Sequence, residues 1–336
     1  MPKTYYLFNP GRLSKNNRSL KFTPVDAEGN AKKPTYLPIN DINELCVLGS
    51  LDANSALYNF LGQQKIPVHF FDYYEHYTGS FMPKDYLLAG KVHIAQTQAY
   101  TQPAQRLVIA RKLLEGGIYN MLKNLGYYQN RGKEVTVYGS KIKQYYETIR
   151  QAQEMPIAEL MGLEGNVRQV YYQAFDTIIN DFAMQGRSRQ PPLNEVNALI
   201  SFGNSFCYNL CVGQIYHTQL DPTISFLHEP GARRYSLALD IAEVFKPVLV
   251  DRLIFALLNK KQIQAKHFDK KLNACYLNES GGKIYLKAWD ERLKETIKHR
   301  AMNKNVSYRR LVRMECYKLV KHVLGIDEYS PFKMRW

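Results

Sequence analysis

The sequence predicts an α+β protein: a small β-rich N-terminal domain carrying one helix, followed by a larger all-α domain. Three observations predict it. Short apolar runs punctuated by turn residues fill residues 1–88. From about Ile94 the apolar residues take up helical spacing. A chain of 336 residues suits two domains at roughly 150 residues each. The expected domains are 1–88 and 95–336, with the boundary near residues 83–95.

The strands come first. Residues 4–8 are apolar and aromatic, and Asn9-Pro10-Gly11 ends the run. The turn cluster Ser14-Lys15-Asn16-Asn17 leads into 19–22, and 35–38 and 44–49 follow. Such runs suggest antiparallel sheet. One helix interrupts them: Asp52 is the expected N-cap, and Ala56, Leu57, Phe60 and Leu61 share a face. Residues 67–71 and 77–82 complete the strands. Helices are then expected at 105–125, 142–153 and 157–184, with a loop over 185–192. Asn194 is the expected cap of the next helix. Residues 236–259 follow, with Pro247 kinking or dividing them, and then 283–299 and 304–324.

Composition narrows the function classes. Hydrophobic residues make up 45% of the chain, enough for a sizeable core. No apolar run approaches the ~18–20 residues of a membrane span, and residues 1–10 lack a signal-peptide core. The expectation is a cytoplasmic protein with no membrane contact. Five cysteines, odd in number and scattered, predict buried thiols rather than a disulfide framework or a zinc ribbon.

The net charge is +15 and the pI about 9.4. Residues 251–336 alone carry +11, from 20 cationic and 9 anionic side chains, whereas residues 1–90 carry only +1. A clustered basic region suits a phosphate backbone; a solubilising surface or an acidic protein partner is the other reading. The 25 tyrosines would suit stacked bases, although most tyrosines pack in cores.

Several familiar sites are missing. The chain has no Walker A sequence, no GxGxxG and no GxSxG. His228-Glu229 opens like a zincin helix, but Ala232 stands where the second His belongs. What remains is the block 225–247. Asp240 and Glu243, at i and i+3, share one helix face among apolar residues. Such acids are costly unless neutralised. A divalent metal would do so, with His228 just upstream and Glu164 in another apolar helix as further ligands. One imidazole with two or three carboxylates and no thiolate suits Mn²⁺ or Mg²⁺. A helix-capping Asp240 and a surface Glu243 are the alternative.

At these residues the sequence resembles CRISPR-associated protein one, the integrase/endonuclease of spacer acquisition. The resemblance runs over essentially the whole chain. It rests on Asn9-Pro10-Gly11-Arg12-Leu13, the run 45–72, and Leu163-Glu164-Gly165 with Arg168 and Tyr171. It rests also on Pro191-Pro192-Leu193-Asn194, the segment 197–203, and above all 228–246. The ending 329–336 is similar to members tied to type I systems. The resemblance implies a β-sandwich-like N-terminal domain and an all-helical catalytic domain. It implies homodimerisation through the β domain, with a small ferredoxin-like second adaptation protein bridging two dimers in a heterohexamer-like complex. By motif, Glu164, His228 and Glu243 are the metal ligands, with Asp240 the adjacent acid of the catalytic set. Mg²⁺ or Mn²⁺ is the implied cofactor, double-stranded and branched DNA the implied substrate, and a prokaryotic cytoplasm the setting. Two departures stand out: the family often has Asp where Glu243 stands, and a Tyr where Asn204 stands, with Tyr208 one turn later as a substitute.

The arginines divide by context. Arg168 is one turn after Glu164 and either pairs with it or clamps phosphate. Arg187 and Arg189 lie in the loop, and Arg233 and Arg234 enter the catalytic helix. Arg309, Arg310 and Arg313, with Lys318 and Lys321, form the expected basic face of a DNA-binding helix. The competing function is a non-enzymatic DNA-binding scaffold.

Overall fold

A computed structural model describes residues 3–72, 74, 76–84, 89–231, 235–299 and 302–335. The chain forms two compact units, residues 1–86 and 87–336.

The first unit holds two four-stranded sheets and a helix. In chain order these are β1 (Lys3–Leu7), β2 (Gly11–Asn16), β3 (Ser19–Pro24), β4 (Thr35–Pro38), β5 (Ile42–Val47), β6 (Leu51–Asp52), α1 (Ser55–Gln63), β7 (Val68–Phe71) and β8 (Tyr77–Phe81). One sheet runs β1-β5-β7-β8 and the other β4-β3-β2-β6. The antiparallel expectation is corrected here: β1 with β5, β5 with β7, and β2 with β6 pair in parallel. Parallel neighbours need a crossover, and α1 lies in the one between β5 and β7. Asp52 is not the cap of α1. It belongs to β6 and faces Arg12, while the Asn54 side-chain carbonyl accepts the Leu57 amide at 3.0 Å. Leu13, Leu20, Leu45, Leu57, Leu61 and Val68 lie in the core of this unit. A polar row crosses the first sheet. Thr4 donates to Glu44 (2.6 Å), Glu44 faces His69 (3.6 Å), and His69 meets Ser80 (2.6 Å).

The second unit is helical with two small hairpins. Its elements are α2 (Gly90–Thr101), α3 (Pro103–Gln129), α4 (Thr136–Gln151), α5 (Ile157–Gln173), α6 (Phe175–Ile178), α7 (Glu195–Tyr216) and α8 (Ser236–Lys246). A π-helical turn, Pro247–Asp251, joins α8 to α9 (Arg252–Asn259). β9 (Phe268–Lys271), β10 (Ala274–Leu277), α10 (Glu279–Lys294), β11 (Thr296–His299), β12 (Lys304–Ser307) and α11 (Tyr308–Val323) complete it. The two hairpins, β9–β10 and β11–β12, are elements that helical spacing passes over. The architecture is thus α+β, a β-rich region followed by a helical one. All five cysteines are buried and unbridged. Among the described residues no helix is long and apolar enough to cross a membrane.

Two helices bring the site together. α3 packs against α8 closely enough that a Cβ on Gly117 would lie 2.7 Å from the Glu243 carbonyl oxygen. That carbonyl lacks its usual helical donor, because residue 247 is proline. Asn120 and Asn124 of α3 donate to the carbonyls of Val244 (2.9 Å) and Pro247 (2.8 Å), satisfying backbone that the proline and the π turn disturb. The C-terminal segment closes the far side. The Met334 amide donates to Asn120 (2.8 Å), and Phe332 stacks on Phe245 of α8.

Candidate functional site

Asp240 organises the loop before α8. Its side chain is fully buried and accepts the amides of Phe226 (2.6 Å), Leu227 (3.0 Å) and His228 (2.9 Å). It also accepts from His228 Nδ1 at 2.8 Å. A carboxylate that accepts this bond places the proton on Nδ1, so Nε2 is the ring atom left to ligate or to accept. Asp240 is therefore not a surface cap; it is buried and fixes the His228 ring, which is partly exposed. Ser225 donates to the His228 carbonyl (2.5 Å) and tightens the same turn.

Glu164, Arg168 and Glu243 meet. Arg168 Nε donates to Glu164 at 2.8 Å across one turn of α5, and its Nη2 donates to Glu243 on α8. Lys246, one turn after Glu243, donates to the other Glu243 oxygen at 2.5 Å. Burial alone would raise the Glu243 carboxyl, but Arg168, then Lys246 and His228, hold it well below the usual carboxylate range. Burial would lower the Arg168 guanidinium, and Glu243, Tyr172 and Glu164 more than offset that, raising it well above its ordinary value. The two carboxylates thus share one guanidinium. Among the described residues no three His, Cys, Asp or Glu side chains stand together as a ready metal cluster. The fork of Arg168 lies between two of the expected ligands.

A cavity of about 430 Å³ opens beside this pair, lined by Glu164, Arg168, Tyr172, Asp176, Arg187 and Arg189, among others. Arg187 is half-buried and spends its donors inward, on Asn197 (3.0 Å) and Ser201 (3.0 Å), and burial lowers its guanidinium. Arg189 is exposed. Arg233 and Arg234 lie outside the described residues. The three arginines of α11 do not present one face. Arg310 is exposed, whereas Arg309 leans towards Asp290 (4.0 Å) and Arg313 donates to the buried Gln214 (2.9 Å). Glu229 pairs with Arg106 of α3 at 2.6 Å, an ion pair rather than an open charge. Tyr208 accepts the Tyr235 amide at 3.0 Å, at the entry to α8.

Sequence reasoning missed two groups. Lys246 was legible as a cation at i+3 from Glu243. Asp251, in the π turn, was not. It is buried beside Tyr171, and its Oδ2 has no hydrogen-bond partner among the described residues. Burial pushes its carboxyl up to about 7, against the pull of Arg168. Nothing in the pattern of 247–251 separates it from a surface acid, because only the π turn directs it inward.

The chain is similar to known proteins over nearly its whole length. The profile of the family described as CRISPR associated protein Cas1 matches residues 5–291. A CRISPR-associated endonuclease Cas1 of Thermodesulfovibrio yellowstonii is 43% identical over 99% of this chain and 100% of its own. The solved structure of a CAS1 protein from Thermotoga maritima is 35% identical, covers 99% of this chain and 100% of its own, and superposes with a TM-score of 0.86. A casposase bound to integration product shares the fold, at a TM-score of 0.86 and 18% identity, over 99% of this chain and 94% of its own. This chain therefore belongs to the Cas1 family of CRISPR-associated proteins.

Proposed function

We propose that this chain is a divalent-metal-dependent DNA endonuclease and integrase of CRISPR spacer acquisition. It would act on double-stranded and branched DNA, as a homodimer with a small second adaptation protein. The observation that carries the reading is the pairing of a buried carboxylate–histidine couple with two carboxylates drawn to a single cation. Asp240 holds His228 by Nδ1, and Glu164 and Glu243 converge on Arg168. Family membership supports the reaction class.

The donor set fits a metal ion of the Mg²⁺ or Mn²⁺ kind. It offers one imidazole nitrogen and two carboxylates, with no thiolate, and the carboxylates already tolerate a shared positive charge. Glu164, His228 and Glu243 would hold the ion, which would polarise a phosphodiester and lower the pKa of a bound hydroxyl or water. The protein's own share is positional. Asp240 fixes the ring tautomer and the loop 226–228. Arg168, then Lys246, keep Glu243 ionised despite burial. Arg189 stands exposed on the cavity wall where a DNA phosphate would lie. In integration a DNA 3′-hydroxyl displaces the leaving 3′-oxygen at the target phosphorus; in cleavage water does. Both are in-line displacements that leave no covalent enzyme intermediate.

The test is His228→Ala. Joining and cleavage of branched DNA in Mn²⁺ should disappear, while DNA affinity stays within about twofold, because affinity comes from phosphate contacts elsewhere. Full Mn²⁺-dependent activity in that variant would overturn the site. Native protein that binds branched DNA without cutting or joining it would favour the scaffold reading.

A further inference from the structure

Resting on the metal-dependent reading above, we propose that Arg168 is a built-in stand-in for the metal: its guanidinium occupies the cation position between Glu164 and Glu243 until a divalent ion evicts it. The geometry leads there directly. Arg168 donates through Nε to Glu164 and through Nη2 to Glu243, so one planar fork joins the same two carboxylates that the ion would need. Glu243 has both oxygens engaged, one by Arg168 and one by Lys246.

Both carboxylate partners of the fork are sheltered, Glu243 fully and Glu164 partly, with side-chain exposures of 6% and 23%. Two sheltered carboxylates close together repel each other and lose hydration, and Lys246 reaches only Glu243, so a cation shared by both is favoured whenever no metal is bound. A guanidinium and a divalent ion cannot both lie between them. Entry of the metal therefore expels the fork. Room for it exists, since Arg168 lines the cavity of about 430 Å³ with Tyr172, Arg187 and Arg189. Once released there, the guanidinium joins Arg189 on a wall suited to a phosphate, and the same event that loads the ion adds a phosphate donor.

The experiment measures Mn²⁺ binding to the full-length protein without DNA, by titration calorimetry, in the native chain and in Arg168→Gln and Arg168→Lys. In parallel, the Arg168 Nε–Hε resonance is followed by NMR as Mg²⁺ is added. Gln removes the competitor. Lys keeps the charge but lacks the fork that spans two carboxylates, and serves if the Gln variant does not fold. The expected result is Mn²⁺ affinity raised about tenfold or more in both variants, together with an Arg168 resonance that moves in step with Mg²⁺ occupancy.

Native protein that binds Mn²⁺ no more weakly than either variant would overturn the inference. So would an Arg168 resonance unmoved at saturating Mg²⁺, or a gain confined to Gln, which would be a general field effect. If neither the native chain nor the variants bind Mn²⁺, it is the metal reading itself that fails, and this inference with it.

Discussion

Asp251 illustrates what a single buried carboxyl does to the protein around it. Its folded pKa, near 7 through burial, stands above the ~3.9 of an unfolded aspartate. Between about pH 4 and pH 7 the folded chain therefore holds a proton that the unfolded chain has released. Stability falls as pH rises through that window and levels off above about 7, by up to about 4 kcal/mol in all. Asp251→Asn removes the titration. Urea unfolding at pH 5 and pH 8 should show a smaller loss in the variant than in the native chain; equal losses would mean that the carboxyl is not held up by burial. Asp240 has a structural part in the loop before α8. It accepts four hydrogen bonds, three of them from backbone amides. Asp240→Ala should leave those amides buried and unpaired, costing about 3 kcal/mol or more by chemical unfolding, and should release the His228 ring, abolishing activity. Residue by residue, the sequence revealed the acids and the histidine but not their division of labour. Glu164, Asp240 and Glu243 were marked as acids in apolar helix patterns, and His228 by its place just before the helix of Asp240 and Glu243. That Asp240 faces inward depends on the loop 226–228 folding back onto it, and that Arg168 joins Glu164 to Glu243 depends on the approach of α5 to α8, across 75 residues of chain.

At the scale of elements, the contact of α3 with α8 sets the position of Glu243. Gly117→Ala would place a methyl 2.7 Å from the Glu243 carbonyl, which is backbone and cannot swing away. The expected result is a loss of about 1–3 kcal/mol of stability from overpacking, with a fall in activity at temperatures where the variant is still folded. Circular dichroism melts and a cleavage assay check the two together. The helices were legible because their apolar faces repeat every 3.6 residues; the ends of α3 fall within four residues of expectation, while α4 begins six residues earlier than expected. Asn194 caps α7 as its position suggests, accepting the Asn197 amide at 2.9 Å. What spacing could not show were features settled by tertiary pairing. β9 and β10 stand beside a loop, with the Cys275 amide donating to the Pro192 carbonyl (2.8 Å). β11 and β12 sit where charged residues mimic helix ends. The parallel pairing of β1, β5 and β7 was hidden because strand composition carries no sign of direction. Pro247 divides its helix as expected, and the break takes the form of a π turn whose Pro247 carbonyl accepts from Asn124.

Over the whole molecule, charge is unevenly spread. The first 90 residues are nearly neutral at +1, suiting contact with protein more than DNA. Light scattering should find the full chain dimeric and residues 87–336 monomeric; a stable dimer of the shorter chain would place the interface in the helical unit. The last 86 residues carry +11, and α11 tests whether that excess grips DNA. Its three arginines have different surroundings and should respond differently. Arg310 is exposed, so Arg310→Glu should leave the fold intact and weaken binding to all DNA sequences alike. If it contacts one phosphate, the slope of log affinity against log salt should become shallower by about 0.9. Arg309 leans on Asp290 and Arg313 on Gln214, so Glu at either position should mainly lower the melting temperature. None of the three should alter the dependence of surviving activity on Mn²⁺, since none is among the expected ligands Glu164, His228 and Glu243. An Arg310→Glu variant with native affinity and an unchanged slope would turn α11 into a solvated surface. The DNA path would then run along the cavity wall that holds Arg189, where Arg189→Glu should flatten the slope instead.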